Sequence, residues 1–119
     1  MRFGKLPPIC IAIQALAFAK VSSADQCGSH VVQHTGFTFN ITITDWRGSP
    51  IGGVSGSHVN AGDTISVASE LPYMFEMTPG SSDGAAVSFK YAAWGTTSDD
   101  CVTDHYKNDL RHILCGFPC

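Results

Sequence analysis

The chain has 119 residues, 44% of them hydrophobic and only 14% charged, with ten acidic and seven basic side chains for a net charge of −3. That length holds one domain, and the shortage of positive charge argues against nucleic acid or an anionic membrane as the main partner.

The N-terminus reads as a secretory leader over residues 1–24. Arg2 and Lys5 form a positive start, Ile9 to Ala19 an apolar run, and Ser22, Ser23 and Ala24 the small residues of a cleavage site. The apolar run is too short to span a bilayer, which takes about 20 residues, and no later segment is apolar enough to do so. Cleavage after Ala24 leaves residues 25–119 as one domain. It removes three of the seven basic residues and none of the acidic ones, so the remainder carries −6. Cys10 leaves with the leader. Cys27, Cys101, Cys115 and Cys119 remain, an even set that predicts two disulfides in an exported domain of this size. Every one of the three possible pairings ties the N-terminal end to the C-terminal segment. The favoured pairing is Cys27–Cys115 with Cys101–Cys119; a direct Cys115–Cys119 link would close a very tight ring. A zinc site is disfavoured, since no paired Cys-x-x-Cys knuckle occurs.

Beyond Cys27 the clearest element runs from Phe37 to Asp45. Phe37, Phe39, Ile41 and Ile43 alternate with polar residues, the period of a half-buried strand. Asp45-Trp46-Arg47-Gly48 fits a turn. Ile51 to Val59 predicts a weaker strand, with Gly52, Gly53 and Gly56 marking bulges or an edge position. Asn60 to Asp63 predicts another turn, and Thr64 to Ser69 a strand with Ile65 and Val67 inward. Tyr73, Phe75 and Met77 are expected on one strand face. Thr78 to Gly84 reads as a loop, Ala86 to Tyr91 as a strand burying Val87 and Phe89 with Trp94 close behind, and Gly95 to Asp100 as a polar connection. Tyr106 to Leu114 fits a short helix or a loop with a last strand, and Cys115 to Cys119 an extended tail. Together these predict an all-β fold: a small antiparallel sandwich or barrel of about six short strands, stapled by disulfides.

Candidate chemistry is sparse. Asn40-Ile41-Thr42 is an N-glycosylation sequon whose acceptor lies on the polar side of its strand. His30 and His34, and His105 and His112, show no metal-ligand spacing, so the histidines are expected at the surface with no metal or cofactor. The alternative reading as a secreted ribonuclease would use His58 and Glu76 as base and acid, with Arg47 or Arg111 on the phosphate. The run Thr78 to Phe89 has a faint likeness to a segment of fungal guanyl-specific ribonucleases, but Ala85 and Ala86 stand where its arginine would be. A killer-type or antimicrobial toxin is a further alternative, opposed by the acidic charge.

The mature chain resembles the small secreted cysteine-containing proteins of filamentous fungi, many of them candidate virulence effectors. The resemblance rests on Cys27-Gly28-Ser29-His30, the run Phe39 to Asp45, Ser66 to Pro72, Val87 to Tyr91 with Trp94, Cys101, and Cys115 to Cys119. It implies a β-sandwich-like fold, an extracellular or host-directed destination and no shared catalytic motif. The expected function is accordingly that of a monomeric secreted protein that binds a host or environmental protein. The loops at Asp45 to Pro50, Thr78 to Gly84 and Gly95 to Asp100 are the expected contact regions.

Overall fold

The computed structural model describes residues 26–119; the expected leader over residues 1–24 lies outside them. Nine strands follow in order: β1 (Gln26–His34), β2 (Thr38–Thr44), β3 (Pro50–His58), β4 (Ile65–Val67), β5 (Phe75–Thr78), β6 (Ser88–Tyr91), β7 (Trp94–Thr97), β8 (Val102–Thr103) and β9 (Leu110–Pro118), with a 3-10 turn at Ser98–Asp100 before β8. All pairings are antiparallel, in two sheets ordered β3-β2-β1-β9-β8 and β4-β5-β6-β7. The all-β stapled fold is therefore as expected, with nine strands rather than about six.

Followed around both sheets, the strands run in chain order from β1 to β9, and β9 returns to pair with β1. The molecule is a flattened up-and-down meander closed by its first and last strands. The closing seam is long, with nine residue pairs from Gln26↔Pro118 to His34↔Leu110. The sheets also meet along both sides. On one, Gly52 bridges Ser69 and the Glu70 amide donates to the Ile51 carbonyl at 3.0 Å. Gly52 is needed for that approach, since a Cβ there would lie 2.5 Å from Ser69 Cα. Its neighbour Gly53 has φ +153° and packs against the Ile41 carbonyl, which no side chain would permit. On the other side, buried Ser98 exchanges hydrogen bonds with Val87 and accepts from Thr103 Oγ1 as the chain crosses between sheets.

Alternation of each strand supplies one core. Val31, Phe39, Ile41, Ile43, Ile113 and Phe117 come from the larger sheet, and Val67, Phe75, Met77, Phe89 and Tyr91 from the smaller. Phe117 sits at the centre of an aromatic group, its ring 5.1 Å from Phe75, 5.1 Å from Tyr91 and 5.7 Å from Trp94. Phe37 and Ile65, expected in the core, are only half-buried. Phe37 belongs to the β1–β2 turn, with φ 62°, so it leaves the strand's alternation. Tyr73 does not join Phe75 and Met77: it precedes β5 and is 59% exposed.

The C-terminal region settles as a strand. No helix forms over Tyr106 to Leu114, and Cys115 to Pro118 continue β9 instead of trailing as a tail. The disulfides differ from the favoured pairing: they are Cys27–Cys119 and Cys101–Cys115. The strand register explains this. In the β1–β9 ladder Cys27 stands opposite Phe117, so Cys115 and Cys119, two residues to either side, are both diagonal to it, and the choice falls to the partner of Cys115. Val102 pairs with Leu114, which sets Cys101 beside Cys115. The first bridge locks the closing seam, and the second staples the crossing between sheets to β9.

Candidate functional site

Three outward surfaces carry the chemistry-bearing residues. The first is the tip of the β2–β3 hairpin. Asp45 Oδ1 accepts from the Arg47 and Ser49 amides at 2.9 and 3.0 Å, the Gly48 amide donates to the Asp45 carbonyl, and the Asp45 amide donates to the Ser49 carbonyl. This Asx-type turn fixes the backbone and leaves Trp46 57% exposed, with the Arg47 guanidinium 5.4 Å from its ring centre. Tyr73 and Met74 are exposed at the same end, where Tyr73 meets Tyr91 edge-on behind Phe117.

Desolvation pushes the Asp45 carboxyl's pKa up, but the Ser49 and Arg47 amides and the Arg47 guanidinium outweigh it and hold the pKa below 3.8. A depressed carboxyl stabilises the fold above its unfolded pKa, and that contribution is lost as the pH falls through the folded value. The tip is therefore expected to stay ordered at neutral pH and to loosen only below pH 3.8. The Trp46 indole resonance reports it: a shift on acidification that Asp45→Asn abolishes is the expected result, and a resonance indifferent to acid contradicts it.

The second surface is a shallow trough of about 490 Å3 across the outside of the smaller sheet, lined by Thr64, Glu76, Thr78, Ser88, Lys90 and Thr97 among others. Glu76 and Lys90 are cross-strand neighbours there, and the Thr64 and Thr78 hydroxyls are 2.7 Å apart.

The third is the outside of the larger sheet, which collects four of the five histidines. His34 Nε2 lies 3.4 Å from Asn40 Nδ2, and His58 Nε2 lies 2.8 Å from Asn60 Oδ1. His30 Nε2 and His112 Nδ1 face each other at 2.9 Å across the β1–β9 seam, in residues 82 positions apart. Burial is the main reason the His30 imidazole titrates below its ordinary 6.5, with His112 acting the same way and Asp104 opposing. The sequence reading missed this pair, because nothing in the spacing of His30 and His112 reveals that β1 and β9 are neighbours. Among the described residues no three His, Cys, Asp or Glu side chains form a metal-binding group.

The sites expected from sequence separate in space. His58 is on the larger sheet and Glu76 on the smaller. Arg47 is at the hairpin tip, paired with Asp45 at 3.4 Å. Arg111 is buried on the inner side of β9, where Nε donates to Gln33 Oε1, Nη2 donates to the Ala85 carbonyl, and the guanidinium lies over Tyr106. The residues of the ribonuclease reading are thus not gathered into one cleft. The three expected loops do not form one surface either. Asp45 to Pro50 lies at the Trp46 end. Thr78 to Gly84 lies at the other end, where Asp83 accepts from the Gly36 and Phe37 amides. Gly95 to Asp100 is β7 and the 3-10 turn, not a loop. Asn40 is half-buried on the outer face, its Oδ1 accepting from Ser55 Oγ and the Gly56 amide across the β3 bulge.

No protein family, curated protein or solved structure matches this chain. No helix of the described residues is long and apolar enough to cross a membrane. The two disulfides are of the kind that oxidising, extracellular surroundings sustain.

Proposed function

We propose that this chain is a secreted binding protein that acts outside the cell that makes it, by contacting a host or environmental protein. The resemblance to small secreted fungal proteins, many of them effector candidates, supports the destination, since it implies an extracellular or host-directed one and no shared catalytic motif. The observation behind this reading is the hairpin tip. Trp and Arg are the residues that most often dominate protein interfaces. Here Trp46 and Arg47 are held out to solvent by a turn with its own hydrogen bonds, so little ordering entropy opposes contact. Tyr73 and Met74 widen the same apolar end. A glycan on Asn40 belongs to the same proposal. It would be attached at Nδ2, leaving the Oδ1 bonds to Ser55 and Gly56 in place.

The test is retention of a target-tissue protein on the immobilised oxidised protein, compared with a Trp46→Ala/Arg47→Ala variant. Loss of a hot-spot pair worth about 2 kcal/mol or more weakens retention by more than about tenfold. Equal retention by both, or no saturable partner in extracts of the natural target, defeats the proposal.

A further inference from the structure

We propose that His30 and His112 form a two-imidazole binding site for a divalent transition-metal ion such as copper(II) or zinc(II). Imidazole nitrogen suits these ions, and copper(II) binds such ligands most tightly in the first-row series. Two nitrogens held about 2.0–2.1 Å from one ion lie about 2.9 Å apart at a right angle and about 3.3 Å apart at the tetrahedral angle. His30 Nε2 and His112 Nδ1 are 2.9 Å apart, with ring planes 28° from one another. Turning each ring away from the line between the two nitrogens, by about 45° at the right-angle geometry, aims both lone pairs at a shared point.

The scaffold fixes this spacing. His30 and His112 are diagonal neighbours on the two strands of the closing seam, inside a ladder of nine pairs that Cys27–Cys119 ties at one end. The other two histidines of this face have a ring nitrogen engaged by an amide side chain, His34 by Asn40 and His58 by Asn60. The Asp104 carboxylate interacts electrostatically with His30 and supplies negative charge beside the ion.

Proton balance is simple. In the neutral pair a single N–H lies between the two rings. When the ion binds, that proton moves to the outer nitrogen of its own ring. Both facing nitrogens then donate lone pairs to the metal, two waters leave the hydrated ion, and its remaining positions stay aquated. No net proton is released.

Copper(II) titration of the oxidised protein, followed by electron paramagnetic resonance and calorimetry, tests the site. One equivalent with two nitrogen donors is expected. His30→Ala and His112→Ala should each weaken binding by more than about tenfold, the lower end of what even a ligand's hydrogen-bonding partner contributes. His34→Ala should bind like the parent. A second measurement needs no variant: substoichiometric copper(II) should broaden the His30 and His112 imidazole resonances before those of His34, His58 and His105. Unchanged affinity in His112→Ala, a single nitrogen donor, or first broadening at another histidine overturns the assignment.

Discussion

Replacing Cys27 and Cys119 together by serine is expected to lower the unfolding free energy by about 4–5 kcal/mol, and replacing Cys101 and Cys115 by about 3 kcal/mol. The difference follows from the chain each bridge closes, 92 residues in the first case and 14 in the second. A cross-link restricts the unfolded chain more when it joins more distant residues. Location adds to the contrast. Cys27–Cys119 lies at the end of the β1–β9 ladder, the only pairing that joins the two extremities of the meander, whereas Cys101–Cys115 reinforces a crossing already held by Ser98. A domain of this size has only about 5–15 kcal/mol of stability in all, so the first loss removes a large share of what keeps the protein folded. Urea unfolding of the two double variants beside the parent measures both. Equal losses, or a larger loss from Cys101 and Cys115, would show that something other than loop closure sets the contribution of these bridges.

Phe117→Ala is expected to cost about 3–5 kcal/mol, as for other fully buried phenylalanines. Phe117 is 1% exposed and reaches across from the larger sheet to the rings of Phe75, Tyr91 and Trp94. Truncation removes one ring from each of three aromatic pairs and leaves a cavity between sheets. The strands around it are pinned by ladders and a disulfide, so the gap cannot collapse. Phe117→Leu keeps most of the volume and should cost clearly less. Thermal unfolding gives the stability, and the near-ultraviolet circular dichroism of Trp94 gives the local packing. A Phe117→Ala protein that melts within about 1 kcal/mol of the parent would mean that the aromatic group does not hold the sheets together.

Much of the middle of the chain was legible in its sequence. Phe39, Ile41 and Ile43 alternate cleanly and are all buried; Val87 and Phe89 behave the same way, and the Asp45 and Asn60 turns close as their residues suggest. The two strands that close the structure were not legible, for a shared reason. The inward face of β1 carries Ser29 and Gln33 beside Cys27 and Val31, and the inward face of β9 carries Arg111. Gln33 and Arg111 stand opposite each other and join in a buried hydrogen bond, so polar groups occupy positions where alternation calls for apolar ones. In β9 the spacing of Leu110, Ile113 and Leu114 imitates a helical stripe, yet of the three only Ile113 is fully buried, while Leu114 is 46% exposed. Without β1 and β9 neither the Cys27–Cys119 bridge nor the meeting of His30 with His112 was accessible, because each joins residues more than 80 positions apart. The hairpin tip, a purely local arrangement, was accessible.

The return of β9 to β1 also governs when this protein can assemble. The seam between β1 and β9 cannot form until the whole intervening polypeptide has emerged, so the meander cannot shut before β9 has been made. Six of the seven strand pairings join neighbours in sequence and only β1–β9 joins distant segments, so closing that one seam is the step that waits on a long loop. During that wait β1 exposes the edge that β9 will cover. In oxidising surroundings, where sulfur exchange can capture the two ends once they meet, the Cys27–Cys119 bridge turns a slow and reversible encounter into a lasting one.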